Sequence, residues 1–280
     1  MRSAADVADV VEMQAWAGHK SFTISGLKEE LESLNGEQDD EPEHFAQVIF
    51  DELGSRKRQL RDAYPFAFDG YLLRPSVPEH GSSYLFCLGL SLANAANITQ
   101  HIRKFEFETL VARAAQRYFG GDAIRIGAPW KTPGVPTYLT LLRNISDLIP
   151  ELGPPKRKKA PQGGDGGWDV LVVKNFGDRQ FPRLIALGNC ATGRTDWRGK
   201  GNETEPAYFW TFFSRHHRSV CITFLAAPFV MDEDDRGRKS GTTTLTFDRM
   251  RICEHDPDAS QPMRDWLEAN REHLLALPLT

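Results

Sequence analysis

The chain of 280 residues carries 34 Lys and Arg against 38 Asp and Glu, which gives a formal net charge of −4. Hydrophobic residues make up 40% of it and charged residues 26%, a balance that allows a sizeable core and excludes a disordered, collagenous or coiled-coil chain. The negative net charge argues against a general polyanion binder, so any nucleic-acid contact must come from local basic patches.

No apolar run approaches the roughly 20 residues that a membrane span needs. The first residues, MRSAADVADVVEM, are acidic and lack the apolar stretch of a signal peptide. We therefore expect a cytoplasmic protein without a membrane partner. The four cysteines fall singly, which indicates neither a zinc ribbon nor a disulfide framework but small buried side chains.

Residues 1–100 are predicted to form a mostly helical N-terminal domain. Its first segment, VVEMQAWAG, is compatible with a strand, and FAFDGYLL alternates weakly like another. Helical spacing and capping residues predict three helices, over residues 27–35, 44–63 and 82–96.

Residues 101–280 are predicted to form a second domain, of the α/β (α+β) class with a central mixed sheet flanked by helices. Apolar periodicity predicts helices over 102–119, 137–151, 205–215 and 261–277, and strands over 122–129, 168–174, 183–192, 218–230 and 242–252. The charged segment MDEDDRGRKSG is predicted to be a loop. Without the helix at 137–151, residues 102–230 follow the order helix, strand, strand, strand, helix, strand.

Three local motifs accompany that order. Glu108 lies in the helix FEFETLVARAAQRYFGG, and Asp169 begins the strand of GGDGGWDVLVVK after a Gly-rich turn. The third motif is the strand LIALGNCATGRTDW, which contains Asn189. In order and motifs, residues 100–230 resemble the αβββαβ core of the PD-(D/E)XK phosphodiesterases, the restriction-endonuclease-like superfamily.

The resemblance implies a divalent-metal site. Cleavage of a phosphodiester needs a metal to offset charge on the phosphate and to activate a water. Because Mg²⁺ prefers oxygen ligands and keeps several waters, one or two carboxylates suffice. Glu108 and Asp169 match the family's metal ligands, so the expected cofactor is Mg²⁺ or Mn²⁺.

The sequence departs from the family at its (E/Q)xK motif, which reads Asn189-Cys190-Ala191. Asn189 offers one amide oxygen, and Ala191 cannot replace the lysine. The candidate substitutes for that catalytic cation are Arg194 and Lys174. Strand alternation predicts that Lys174 faces away from Asp169 unless the strand ends or bulges there, so Arg194 is the first choice.

Each of these residues also has a simpler interpretation, as a turn, capping or solvated residue. The same holds for the basic run Lys156, Arg157, Lys158 and Lys159, which is otherwise placed to bind a phosphate backbone beside the site. The aromatic segment YFWTFF is predicted to pack in the core.

The resulting hypothesis is a metal-dependent nuclease that acts on DNA, and the resemblance implies a role in bacterial defence against phage or foreign DNA. A protein partner or regulator is expected to contact residues 1–100, and a homo-oligomer is left open. The alternative is a catalytically silent subunit that binds nucleic acid or a partner protein. An unrelated small-molecule enzyme is disfavoured because GxGxxG, P-loop and GxSxG motifs are absent.

Overall fold

The computed structural model describes residues 3–35, 42–76, 82–98, 101–130, 134–160, 167–178, 180–193, 197, 206–217, 219–240 and 244–279. The chain divides into two units, one that joins Met1–Gln100 to Pro257–Thr280 and one that spans His101–Asp256. The sequence had placed all of residues 101–280 in one domain. The structure differs because the C-terminal helices pack on N-terminal ones.

Eleven helices are described in chain order: α1 (Ala4–Gly18), α2 (Ile24–Asn35), α3 (Pro42–Leu60), α4 (Ser83–Leu92), α5 (His101–Phe119), α6 (Tyr138–Leu148), α7 (Pro206–Trp210), α8 (Glu233–Ser240), α9 (Arg249–His255), α10 (Gln261–Ala269) and α11 (Arg271–Leu275). The described strands are β1 (Phe22–Thr23), β2 (Phe66–Phe68), β3 (Leu72–Pro75), β4 (Asp122–Arg125), β5 (Val170–Lys174), β6 (Leu184–Cys190), β7 (Val220–Ala226) and β8 (Thr244–Phe247). No helix among the described residues is long and apolar enough to cross a membrane.

The first unit contains α1–α4, α10, α11 and a small sheet of order β1-β3-β2. The predicted helices correspond to α2, α3 and α4, the last of which Ser82 caps through its side chain. The strand predicted for VVEMQAWAG is wrong, because this segment is part of α1. Residues Val7–Ala17 are all buried, so no polar face shows the helical period, and a capping box of Ser3 and Asp6 starts the helix.

A buried ionic network ties α1 to α3 in this unit. Arg56 donates to Asp9 at 2.8 Å and to Glu12 at 2.7 Å. Glu12 also accepts hydrogen bonds from the hydroxyls of Tyr64 and Tyr84. The charged groups therefore satisfy one another within the core.

The second unit is built on a five-stranded mixed sheet of order β4-β5-β6-β7-β8. β5 is antiparallel to β4 and β6, whereas β7 is parallel to β6 and β8. The predicted order is confirmed, since α5, β4, β5, β6, α7 and β7 follow one another with α6 inserted after β4. The α/β class with a central mixed sheet flanked by helices is likewise confirmed.

The two faces of this sheet carry different helices. One face forms a core cluster with α6 and α7, to which the sheet contributes Leu171, Val173, Ile185 and Leu187. Alternation turns Val170 and Val172 to the other face, where α5 packs against β4 and β5. The segment YFWTFF belongs to the first cluster, as predicted, with Phe209, Trp210, Phe212 and Phe213 buried.

The remaining differences lie after β7. The segment predicted as a charged loop contains α8, which begins with three acidic residues that suit a helix N-terminus. The strand predicted over 242–252 is β8 followed at once by α9, because Asp248 caps a helix there through its side chain. The predicted C-terminal helix is divided into α10 and α11.

Candidate metal centre

Glu108 is a fully buried carboxylate on α5, placed against the backbone of the segment after β4. Gly127 makes this approach feasible, because a Cβ atom there would lie 2.3 Å from Glu108 Oε2. Any larger residue at position 127 would displace the carboxylate.

Arg125 holds one oxygen of this carboxylate. Its Nη1 donates to Glu108 Oε2 at 2.7 Å and to the carbonyl of Gly127 at 2.6 Å. Its Nη2 donates to the Pro129 carbonyl, and its guanidinium lies over the Phe105 ring, 4.1 Å from the ring centre. Four contacts therefore fix the guanidinium, which in turn fixes the orientation of Glu108.

Asp169 lies at a bulge just before β5. Its N–H donates to the carbonyl of Gly188, the residue that pairs with Val170, so two residues of one strand face one of the other. The bulge turns the Asp169 side chain toward α5, and its Oδ2 accepts the backbone N–H of Cys190 at 2.7 Å. The orientation of this second carboxylate is thus set by backbone atoms.

Lys104 links the two carboxylates, which we call the carboxylate pair. Its Nζ lies 3.6 Å from Glu108 Oε1 and 4.0 Å from Asp169 Oδ1. The Lys104 side chain is 50% exposed, so the ammonium group is also accessible from solvent. The structure therefore brings Glu108 and Asp169 together around one cation.

The pKa of Glu108 is raised in this arrangement, which means that the ionised carboxylate is disfavoured. Burial and, after it, the charge of Asp169 raise the pKa of Glu108 to about 8 against the opposing effects of Arg125 and Lys104. Glu108 Oε1 is buried without a hydrogen-bond partner among the described residues. The ionised form of Glu108 is thus disfavoured in this site.

Asn189 is buried, but it lies on a different face from the pair. Ile185 and Leu187 of β6 pack in the cluster with α6 and α7, and alternation gives Asn189 that same face. The sequence offered the Asn189 amide oxygen at the metal site, but the strand register places this side chain on the other face of the sheet from Glu108 and Asp169. The backbone N–H of Cys190 contacts Asp169 instead.

The residue that stands where the family has its lysine is also remote from solvent. Ala191 is buried in a core cluster with Trp197 and Leu225. No cation can act from this position.

Of the two predicted substitutes for that lysine, Arg194 lies outside the described residues. Lys174 donates through Nζ to the carbonyl of Gly120, just past the carboxyl end of α5. The expectation that Lys174 faces away from Asp169 is wrong, because the bulge turns Asp169 to the α5 side as well. Five residues of strand, about 16 Å, nevertheless separate the two along β5.

The basic run Lys156–Lys159 lies on the α7 side of the sheet. The Lys156 N–H donates to the Phe212 carbonyl at 2.8 Å, and the Arg157 guanidinium lies 4.6 Å from the centre of the Phe212 ring. The expectation that this run adjoins the pair is thus corrected to a position on the face opposite α5.

Sequence reasoning missed Lys104 and Arg125. Lys104 could have been found, because it precedes Glu108 by four residues and so shares its helix face. Arg125 gave no such signal, since only the packing of β4 beside α5 brings it to Glu108.

The donor set of the pair fits a hard divalent cation. Glu108 Oε1 and Asp169 Oδ1 are oxygen donors on facing carboxylates, and Mg²⁺ is commonly held by two carboxylates and waters. The described residues include no group of three His, Cys, Asp or Glu side chains that could hold a metal. A cation at the pair would therefore keep much of its hydration.

Comparisons with known proteins give little further information. No protein-family profile and no curated protein sequence matches the chain. One solved structure, the MspJI restriction endonuclease in complex with a 27-mer oligonucleotide, is similar over 73% of this chain and 40% of that chain, at 14% identity and a TM-score of 0.29. The chain thus spans less than half of that protein.

Proposed function

We propose that this protein is a divalent-metal-dependent nuclease of the PD-(D/E)XK type that hydrolyses phosphodiester bonds of DNA. The observation that carries the proposal is the carboxylate pair, with buried Glu108 and Asp169 on either side of the Lys104 ammonium. The pair occurs on the first helix and at the start of the second strand of an αβββαβ core, where that superfamily has its acidic residues.

Each residue of the site has a chemical role in this proposal. Glu108 and Asp169 would hold Mg²⁺ or Mn²⁺, which supplies positive charge for the phosphate and lowers the pKa of a bound water. Arg125 and the Cys190 N–H hold the two carboxylates in fixed orientations. Lys104 stabilises negative charge on a phosphate presented to the pair, because its half-exposed ammonium already lies between the carboxylates.

The direct test is incubation of the purified protein with plasmid DNA, with and without Mg²⁺ or Mn²⁺. We expect cleavage that EDTA abolishes and that Asp169→Asn reduces by at least about a thousandfold. Asp122→Asn is the matched control, since Asp122 is exposed at the start of β4, and it should cleave normally. Cleavage that persists in Asp169→Asn would contradict the proposed site.

A second candidate is a catalytically silent subunit that binds nucleic acid or a partner protein. It is favoured by one specific observation, the burial of Ala191 at the position of the family's lysine. Absence of metal-dependent cleavage on plasmid, linear duplex, single-stranded DNA and RNA, together with measurable binding, would favour this function over the first.

The biological part of the proposal is a role in defence against phage or foreign DNA, with a protein partner or regulator acting through residues 1–100. Cells that express the protein should lower the plating efficiency of some phages. Cells that express Asp169→Asn at the same level should not. Equal protection by both would separate the defence role from cleavage.

A further inference from the structure

A positively charged surface lies in the second unit, on the face of the sheet opposite α5. It is formed by residues 152–160 and 206–217, which contain five Lys and Arg, two His and no Asp or Glu. We call the basic surface the set Lys156, Arg157, Lys158, Lys159 and Arg215. In a chain of net charge −4, so local an excess of positive charge is not a consequence of overall composition.

The backbone of the basic surface is fixed by hydrogen bonds. The N–H groups of Lys156, Ser214 and Arg215 donate to the carbonyls of Phe212, Pro154 and Leu152, at 2.8, 3.0 and 2.8 Å. An isolated bridge between Pro155 and Phe213 lies within the same ladder. Backbone hydrogen bonds thus hold Lys156 and Arg215 in place, next to the rest of the run.

The side chains of this surface remain available to a ligand. Lys156, Lys158, Lys159 and Arg215 are exposed. The four cations of the run make no ion pair with any carboxylate that the structure describes. The Arg157 guanidinium lies over the Phe212 ring, and the neighbouring Tyr208 is 44% exposed. The Arg215 guanidinium donates to the Pro150 carbonyl at 3.3 Å. Exposed cations beside an exposed aromatic ring suit a phosphate backbone with accessible bases.

We propose that the basic surface binds the phosphate backbone of nucleic acid at a position distinct from the carboxylate pair. The identity of the ligand as a nuclease substrate rests on the proposed function, but binding does not require cleavage. The surface lies on the α6–α7 face of the sheet, whereas Glu108 and Lys104 lie on α5. It therefore increases the affinity for long substrates without taking part in the chemical step.

The test measures binding of a fluorescent 30-nucleotide single strand by anisotropy, in EDTA and on the Asp169→Asn background, so that nothing is cut. The variant is Lys156→Gln with Lys158→Gln and Lys159→Gln. We expect about tenfold weaker binding at 100 mM salt and a salt-dependence slope that is lower by about two. Replacing the same lysines by Arg should restore binding.

The matched control removes three positive charges from exposed positions of the other unit, as Arg58→Gln, Arg61→Gln and Arg74→Gln. Its binding should stay within about twofold of the parent, since the total charge lost is the same but lies elsewhere. Thermal melting of all variants verifies that they are folded.

Two outcomes would overturn the inference. One is equal binding by the lysine variant and the parent, and the other is undetectable binding by the parent even at 50 mM salt. Neither outcome bears on metal-dependent cleavage, which the plasmid assay measures separately. Conversely, a protein that cuts nothing but loses binding in the lysine variant would support the basic surface and contradict the nuclease.

Discussion

In each unit of this protein a pair of buried carboxylates lies beside an arginine, and the two groups differ in how completely their carboxylates are bound by neighbouring side chains. In the first unit, Arg56, Asp9 and Glu12 are at most 2% exposed, and Arg56 pairs with both acids. Two tyrosine hydroxyls satisfy Glu12 further. In the second unit, Arg125 binds Glu108 but not Asp169, and the second cation, Lys104, is half exposed.

The Arg56 network stabilises the fold, whereas the carboxylate pair is a candidate binding site. Burial lowers the pKa of Arg56, but the facing Glu12 and its neighbours outweigh that effect and raise the pKa well above its ordinary value. Arg56 therefore stays charged. At the carboxylate pair, burial and the charge of Asp169 outweigh Arg125 and Lys104 and raise the pKa of Glu108, so its ionised form is disfavoured and a divalent cation from solution would stabilise that form.

The largest expected effect on stability is in the first unit. Arg56→Met should lower the free energy of unfolding by about 3–5 kcal/mol, because it leaves Asp9 and Glu12 buried without a cation. Urea denaturation measures the loss. Arg58→Met, an exposed change two residues along α3, should cost less than about 0.5 kcal/mol. A loss below about 1 kcal/mol for Arg56→Met would show that the Arg56 network contributes little to the stability of the fold.

The second effect concerns cleavage. Lys104→Ala should reduce the rate by about 10²–10³, the usual cost of removing one preorganised charge stabiliser, and Lys104→Arg should recover part of it. Single-turnover cleavage with saturating DNA isolates this step from binding.

Arg194→Ala is the parallel variant, because the sequence favoured Arg194 as the catalytic cation. If Arg194→Ala is inactive and Lys104→Ala cleaves normally, Lys104 is not that cation. Lys174→Ala should cleave normally, since its ammonium caps the carboxyl end of α5 instead.

The third effect is a pH dependence of stability. The folded pKa of Glu108, about 8, lies above its unfolded value, so this group contributes stability that is fully present below pH 4.5 and is lost as the pH rises through 8. The Glu108→Gln variant has no carboxylate to ionise at this position, so it does not lose this stability as the pH rises. Between pH 5 and 9 the variant should therefore gain more than about 2 kcal/mol relative to the parent in metal-free buffer. A constant difference across this range would contradict the raised pKa.

Much of the second unit could be predicted from its sequence, for a physical reason. Its strands are apolar runs bounded by Gly and Pro, and α5 has one apolar face, so each element shows its own period. α1 could not be recognised, because residues buried on all sides show no period. Nothing in the sequence of α10 and α11 indicates that they pack on the N-terminal helices.

The site was predictable only in part. Glu108 and Asp169 follow from motif order, and Lys104 from its spacing to Glu108. The positions of Lys174 and Asn189 depend on one bulge at Asp169, which alternation alone does not predict. Arg125 depends on how β4 packs beside α5.

The smallest expected effect is the stabilisation of the metal-free protein by a divalent ion. Mg²⁺ or Mn²⁺ at ten times its dissociation constant should add about 1.4 kcal/mol to the free energy of unfolding, a rise of a few degrees in the melting temperature. Asp169→Ala should lose that rise, whereas Asp122→Ala, which removes an exposed carboxylate, should keep it. Arg56→Met should also keep it, since its carboxylates are enclosed in the other unit. Equal shifts in the parent and Asp169→Ala would mean that the ion binds elsewhere.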